Sequence, residues 1–331
     1  MKTYNHLFEK IVTTENLYQA ANKALKGKKY KQTTAPFYFD LENEVFKIQK
    51  TLIEQTYKPQ NYRIFKIFEP KERKICCAEF RDRVVHHAIM NQLGPIFEKR
   101  LIYDTYACRE GKGVHIALNK ARKFVKKYDY YLKCDIKKYF ESIDHQVLMG
   151  IINKIFRDKK LISLLSVIIF HRPPYTQKGK GLPIGNLTSQ HLANLYLGEL
   201  DLYIKHQLKC QGYVRYMDDF ILFSNNKNEL RNFLEAIRVY TENVLELKLK
   251  EKIVRISPVT EGLPFLGYRI FRGTTRLQRP NLVRFRRKVS KLEKRYRKGK
   301  ITQDDLINSV RSVVSHISHG DTKELRKSLF R

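Results

Sequence analysis

The sequence predicts an α+β protein, a mixed strand-and-helix core flanked by helical lobes. Three observations carry this. Short runs rich in aromatic and β-branched residues interleave irregularly with amphipathic stretches of helical period, instead of alternating one for one. Apolar residues make up 42% and charged residues 30% of the 331, a globular composition long enough for roughly two domains of about 150 residues. Near residue 275 the composition turns abruptly basic: Arg269 to Lys300 holds 14 Lys or Arg and a single acid, Glu293.

Taken in order, residues 1–60 read as two or three helices separated by polar breaks such as Lys26-Gly27-Lys28-Lys29. The aromatic run 62–70 suits a strand, and 73–80 is its partner across a charged turn, with Lys71 and Arg73 near the tip. The stretch 83–101 is helix-like and is expected to be interrupted at Gly94-Pro95. A buried strand is predicted over 130–136 and a helix over 145–156. From 182 to 208 a Gly/Pro/Asn turn leads, with Ser189 as N-cap, into a helix carrying Leu192, Leu195, Tyr196 and Leu200. Two apolar runs around two aspartates over 212–224 form a hairpin pattern. A helix over 227–249, a strand over 263–271 and a basic helix over 282–298 complete the series.

With 65 Lys+Arg against 33 Asp+Glu, the formal net charge is +32. Solubility needs far less, and such a surface condenses on polyanions, nucleic acid first among them. MKTYNHLFEK contains no apolar stretch, so a secretory leader is not expected. The longest apolar run, 161–170, is too short to span a bilayer. Five cysteines without C-x-x-C spacing argue against a disulfide framework and a zinc ribbon. The expectation is a cytoplasmic protein that binds nucleic acid and no membrane.

The chemistry concentrates in Tyr216-Met217-Asp218-Asp219. Two adjacent carboxylates at a half-buried hairpin tip repel each other, and their coexistence as anions is explained if they hold a divalent cation. Asp135 closes the apolar run 130–134. Three aspartates on two central strands can share two Mg²⁺ ions about 4 Å apart, the arrangement used for in-line displacement at phosphorus. Mg²⁺ suits one or two carboxylates completed by phosphate oxygens and water. On the basic helix, Arg284, Arg287, Lys288 and Lys291 suit the tracking of a duplex backbone without reading its sequence.

These residues resemble those of the reverse transcriptases. YMDD between apolar strands resembles their motif C, and CDIKKYFESID (134–144) resembles motif A. EPKERK (69–74) looks like the fingers hairpin and FRDRVVHHAI (80–89) like the segment after it. LPIGNLTSQ (182–190) is similar to motif B, LKLKEK (247–252) to motif D and FLGYRI (265–270) to the primer-grip motif E, all in the family's order. The resemblance implies a right-hand polymerase, with N-terminal helices and fingers over 1–125, a palm with an antiparallel sheet over 126–275 and a short helical thumb over 276–331. It implies that Asp135 and Asp218 ligate both Mg²⁺ ions, with the backbone of Ile136 beside them and Asp219 as a weaker third carboxylate. Lys71 and Arg73 would grip the incoming triphosphate, the arginine through its planar fork. Phe140 would exclude a ribose 2′-OH, Ile184 and Gly185 would line the nucleotide site, and Lys252 would protonate pyrophosphate. Tyr216, Met217, Gly267 and Tyr268 would face template and primer.

Most of the family carries Gln-Gly in motif B, often followed by Ser-Pro. This chain has Ile184-Gly185 and then Ser189-Gln190. The pattern is similar to the reverse transcriptases of diversity-generating retroelements, encoded by bacteria, archaea or phages. These copy a template-repeat RNA into cDNA mutated mainly at adenines. The implied partners are that RNA, the RNA/cDNA duplex, dNTPs and a small basic helical accessory variability protein that forms a pentamer. An Ile cannot make the hydrogen bonds with which Gln holds a nucleotide against the template, so base selection should be looser. A retron-type enzyme, expected to keep Gln-Gly, and an abortive-infection defence enzyme are the alternatives within the family. A group II intron enzyme is expected to be longer, with a maturase region after the thumb, and some 56 residues after motif E leave no room for an RNase H or endonuclease domain. A catalytically silent RNA-binding scaffold is the alternative from another class.

Overall fold

The polar breaks of the first sixty residues separate four helices rather than two or three. The computed structural model describes residues 3–68 and 72–329. In it, α1 (Leu7–Ile11), α2 (Thr14–Leu25), α3 (Ala35–Phe39) and α4 (Leu41–Ile53) lead to a two-stranded antiparallel ribbon, β1 (Arg63–Phe68) and β2 (Glu72–Cys77). Small side chains let α2 lie close on the next helix: Ala20, Ala21 and Ala24 are buried, and the Asn16 side chain donates to the Ala88 carbonyl at 3.1 Å.

That next helix, α5 (Phe80–Arg100), runs unbroken through Gly94-Pro95, correcting the expected interruption. Proline clashes mostly with the Cβ and N–H of the residue before it, and Gly94 has no Cβ. Leu93, Ile96 and Phe97 are all buried, so packing holds both halves in line.

After α6 (Val114–Lys127) comes β3 (Tyr130–Asp135), then α7 (Tyr139–Ser142), α8 (His145–Ile155), α9 (Lys159–Phe170) and α10 (Leu187–Leu202). The apolar run 161–170 is the buried body of α9, and no described helix is long and apolar enough to cross a membrane. The start of α10 lies at Asn186, not Ser189, which is buried within the first turn. The hairpin is β4 (Gly212–Tyr216) and β5 (Asp219–Ser224), followed by α11 (Lys227–Asn243) and β6 (Arg255–Pro258).

These strands form one antiparallel sheet in the order β4-β5-β3-β6, so β3 is central. Both its faces are buried, which is why its strands read as near-continuous apolar runs. Leu132, Cys134, Phe220 and Leu222 face the main core with α8, α10 and α11, whereas Tyr131, Ile221 and Phe223 face a second core against α6. Each such side chain fully buried contributes on the order of 1.5–3 kcal/mol.

Two expectations change here. The helix over 227–249 ends at Asn243, because Glu246 turns the backbone left-handed (φ 48°) and Lys180 holds its carboxylate at 2.8 Å. The following residues run extended beside the end of β3, with Ile136 opposite Leu249. The strand over 263–271 is two strands, β7 (Leu263–Phe265) and β8 (Tyr268–Ile270), folded about Leu266 and Gly267, with β9 (Thr275–Leu277) alongside. Both turn residues have positive φ, 47° and 88°, and the glycine takes it without a Cβ penalty. Finally α12 (Arg279–Arg297), α13 (Gln303–Ile317) and α14 (Lys323–Leu329) form the basic appendage, with a small core of Phe285, Val289, Val313 and Ile317.

Candidate active site

Register brings the aspartates together. In the β3–β5 pair Asp135 lies directly opposite Asp219, and in the β4–β5 pair Tyr216 lies opposite Asp219, leaving Met217 and Asp218 as a two-residue turn. Asp218 therefore projects from the turn at the same sheet end where Asp135 closes β3. Met217 pays for the tight turn with a left-handed backbone (φ 57°), a strain of roughly 1–3 kcal/mol for a residue with a Cβ.

The charges are closely set. Burial, then repulsion from Asp135, pushes the Asp218 carboxyl up to about 6, and the positive charge of Arg73 acts in the opposite direction. Burial also raises Asp219, although Lys133 opposes the shift through contacts at 2.6 and 2.8 Å to its two oxygens. Lys250 stands 3.4 Å from Asp135 Oδ1, and its backbone N–H donates to the Asp135 carbonyl at 2.8 Å. Neither lysine was among the expected site residues. Lys133 was findable, since it shares a strand face with Asp135 two residues on. Lys250 lies in the stretch 247–252 that resembles motif D, and only the pairing of Leu249 with Ile136 shows that it, not Lys252, reaches Asp135.

Around this centre the loop before α10 is tied to β2. The Cys76 N–H donates to the Ile184 carbonyl at 2.8 Å, and a Cβ on Gly185 (φ 116°) would meet Ile75 and the Cys76 carbonyl at 3.0 and 3.1 Å. The Ile184 side chain is half-buried, not sealed under the loop. The Phe140 carbonyl accepts from Leu182 N–H at 2.7 Å, and its half-buried ring packs on the main core.

Other expected residues lie differently. Lys71 falls outside the described residues. Lys252 is exposed on a turn, with Lys250 holding the place beside Asp135. Tyr268 is fully buried in the second core, because β8 alternates Tyr268 and Ile270 inward with Arg269 outward, so its ring cannot face a primer. Gly267 stays at the hairpin tip, its carbonyl accepting from Asn281 and Gln278 of the region that opens α12. Tyr216 and Met217 are half-buried, one against each core. Arg284, Arg287, Lys288 and Lys291 are all exposed, and Arg286, Arg287, Ser290, Lys291 and Lys294 line a shallow basic depression on α12.

The profile of the family described as reverse transcriptase (RNA-dependent DNA polymerase) matches residues 58–270. The chain belongs to the reverse transcriptase family. Among its relatives is the group II intron-encoded protein LtrA of Lactococcus lactis subsp. cremoris, 26% identical across 85% of this chain and 57% of LtrA. Protein YkfC of Escherichia coli (strain K12) is 24% identical across 69% of this chain and 71% of its own length. A putative COX1/OXI3 intron 2 protein of Saccharomyces cerevisiae is 23% identical across 51% of this chain and 20% of its own. The chain thus spans little more than half of LtrA.

Reverse transcriptases in general use divalent metal ions. Among the described residues no three His, Cys, Asp or Glu side chains are gathered as a ready metal cluster. What the donor set offers is a pair: burial and the neighbouring Asp135 charge raise the cost of ionising Asp218, and a hard cation between oxygen ligands relieves such a repulsion. Asp219, held by Lys133 through both oxygens, is less free to join. The carboxylate oxygens of Asp135 and Asp218 are donors of the kind that suits a hard divalent cation.

Proposed function

We propose that the protein is an RNA-directed DNA polymerase, with residues 1–125 as N-terminal helices and fingers, 126–275 as palm and 276–331 as thumb. The observation that supports this most is the register placing Asp135 and the Asp218 turn at one end of a buried antiparallel sheet, within the field of Arg73. Asp135 and Asp218, with the Ile136 backbone, would hold Mg²⁺, which supplies charge stabilisation at the transferring phosphoryl group. Arg73 would bind the triphosphate through paired N–H donors, with Lys71 beside it in sequence. Phe140, Ile184 and Gly185 would bound the nucleotide. The basic face of α12 would hold the RNA/cDNA duplex by its phosphates.

Lys250, 3.4 Å from Asp135 Oδ1, would hand a proton to departing pyrophosphate, the role first expected of Lys252. General acids contribute about 10²–10⁴-fold. Lys250→Ala should therefore lower kcat by about 100-fold, and Lys252→Ala by severalfold at most. Single-turnover nucleotide addition with each variant checks the order.

Within the family we infer the diversity-generating kind, with a template-repeat RNA and a small basic pentameric accessory protein as partners in a bacterial, archaeal or phage-encoded system. The half-buried Ile184, tethered by its carbonyl and not by its side chain, favours this reading. An apolar side chain there cannot hydrogen-bond to a nucleotide. Primer extension on a defined RNA template with Mg²⁺ and dNTPs, products sequenced, tests both levels. Errors concentrated opposite template adenines support the diversity-generating assignment. Accurate cDNA keeps the polymerase and moves it toward a retron-type or defence enzyme, and no cDNA with any template or partner favours an RNA-binding scaffold. Ile184→Gln should cut errors opposite adenine by about five- to tenfold, the worth of one restored hydrogen bond.

A further inference from the structure

We propose that Arg215 is a positioning residue for the catalytic turn, a buried strut that locks Met217, and through it Asp218, to the helix carrying motif B. The inference rests on the polymerase reading. Arg215 lies on β4, two residues before Met217, and is completely buried. Its Nε and Nη2 donate to the two oxygens of Asp201, at 2.8 and 2.6 Å. Its Nη1 donates to Asn194 Oδ1 and to the Met217 carbonyl, both at 3.0 Å, and Nη2 reaches the Asn194 carbonyl at 3.4 Å. All five guanidinium N–H donors are thereby used.

Asp201 and Asn194 both belong to α10, whose first turn follows the Ile184-Gly185 loop. The Asn194 amide donates in turn to the Ala107 carbonyl at 2.6 Å, and Tyr213 donates to Asp201 Oδ1 at 2.7 Å. Only one contact of this network reaches the turn, and it lands on the residue with the left-handed backbone. A non-glycine residue stays in that conformation when its surroundings over-determine it. Capture of the Met217 carbonyl by a fixed, five-fold-bonded cation does so. Without it the turn is free to relax, and the carboxylate of Asp218, the next residue, loses its aim at the cation that it and Asp135 would hold. A shift of that size in a metal ligand is felt in kcat more than in nucleotide binding.

The test must separate positioning from plain stability. The double variant Arg215→Met/Asp201→Leu removes both buried charges at once, an exchange that costs far less than breaking the pair, although the Tyr213 hydroxyl loses its acceptor. In the full chain it should melt close to the parent while kcat for nucleotide addition falls by about tenfold or more and KM for dNTP stays within about twofold. Amide hydrogen exchange over 216–220 should quicken by about tenfold, with the rest of the sheet unchanged. A well-folded double variant with parental kcat and parental exchange at the turn overturns the proposal.

Arg215→Lys guards against a double variant that fails to fold. It keeps a cation against Asp201, but three donors on a single nitrogen cannot span Asp201, Asn194 and Met217 together. The same fall in kcat and loss of protection at the turn are expected, and parental values of both overturn the proposal. If the parent itself synthesises no DNA, the polymerase reading fails, and the exchange measurement still decides whether the strut holds the turn.

Discussion

Asp218→Asn is expected to abolish measurable DNA synthesis while the protein still binds RNA. Under the proposed reading Asp218 would hold the ion, and losing such a ligand would forfeit several kcal/mol of transition-state stabilisation, a loss on the order of 10³-fold in rate. RNA binding should survive, because on the proposed reading it would be spread over the exposed cations of α12 and rest on phosphate contacts. Folding should survive as well. Asp218 is pushed up by burial and by its neighbour Asp135, so a neutral isostere removes a repulsion, and the melting temperature should hold or rise. A parallel assay of primer extension, RNA retention and thermal melting checks all three. Synthesis persisting near the parental rate would remove Asp218 from the centre.

Asp201→Ala is expected to be the most destabilising single change away from the aspartate cluster. Arg215 and Asp201 are both fully inaccessible to solvent. Truncating one leaves the guanidinium buried without its counter-ion and also strips Tyr213 of its acceptor. Breaking a buried pair in this way costs about 3–5 kcal/mol. For a chain of this size that corresponds to a fall of roughly ten degrees in melting temperature. The ribbon supplies the control: Lys66 and Glu72 meet at 2.9 Å but are half-exposed, so Glu72→Ala should cost under about 1 kcal/mol. Equal effects from the two variants would mean that the buried network is satisfied by other means.

The central strands were legible because the sheet is covered on both faces. Their apolar runs, and the aspartates that end them, stand out against a strongly charged sequence. The hairpin tip at Met217-Asp218 was legible for the same reason, and the basic α12 because its cations crowd into one stretch. What escaped depends on long-range packing. β6 is four residues ending in Pro258, too short and too polar to announce a sheet strand, and only its pairing with β3 makes it one. α6 carries a narrow apolar stripe among lysines and begins at Gly113 without a side-chain cap, so it lacks the start signal a reader looks for. Pro95 misled for the opposite reason: its local rule is sound, but the glycine before it and the packed residues around it override the rule. Lys250 at Asp135 and Tyr268 in the second core depend on chain reversals at Glu246 and Leu266, where residues other than glycine take positive φ.

The central place of β3 also bears on how the protein comes into being. Its partners, β5 and β6, follow it by roughly ninety and more than one hundred and twenty residues. At a ribosomal rate of about 5–20 residues per second, β3 waits on the order of ten seconds for its last neighbour. Through that interval a highly apolar strand has at least one bare hydrogen-bonding edge, the template on which misdirected strand pairing begins. Asp135 ends that strand and Lys133 lies within it, so two charges interrupt the apolar run while it is exposed. A charge at the end of an exposed apolar strand is the kind of residue that discourages such pairing.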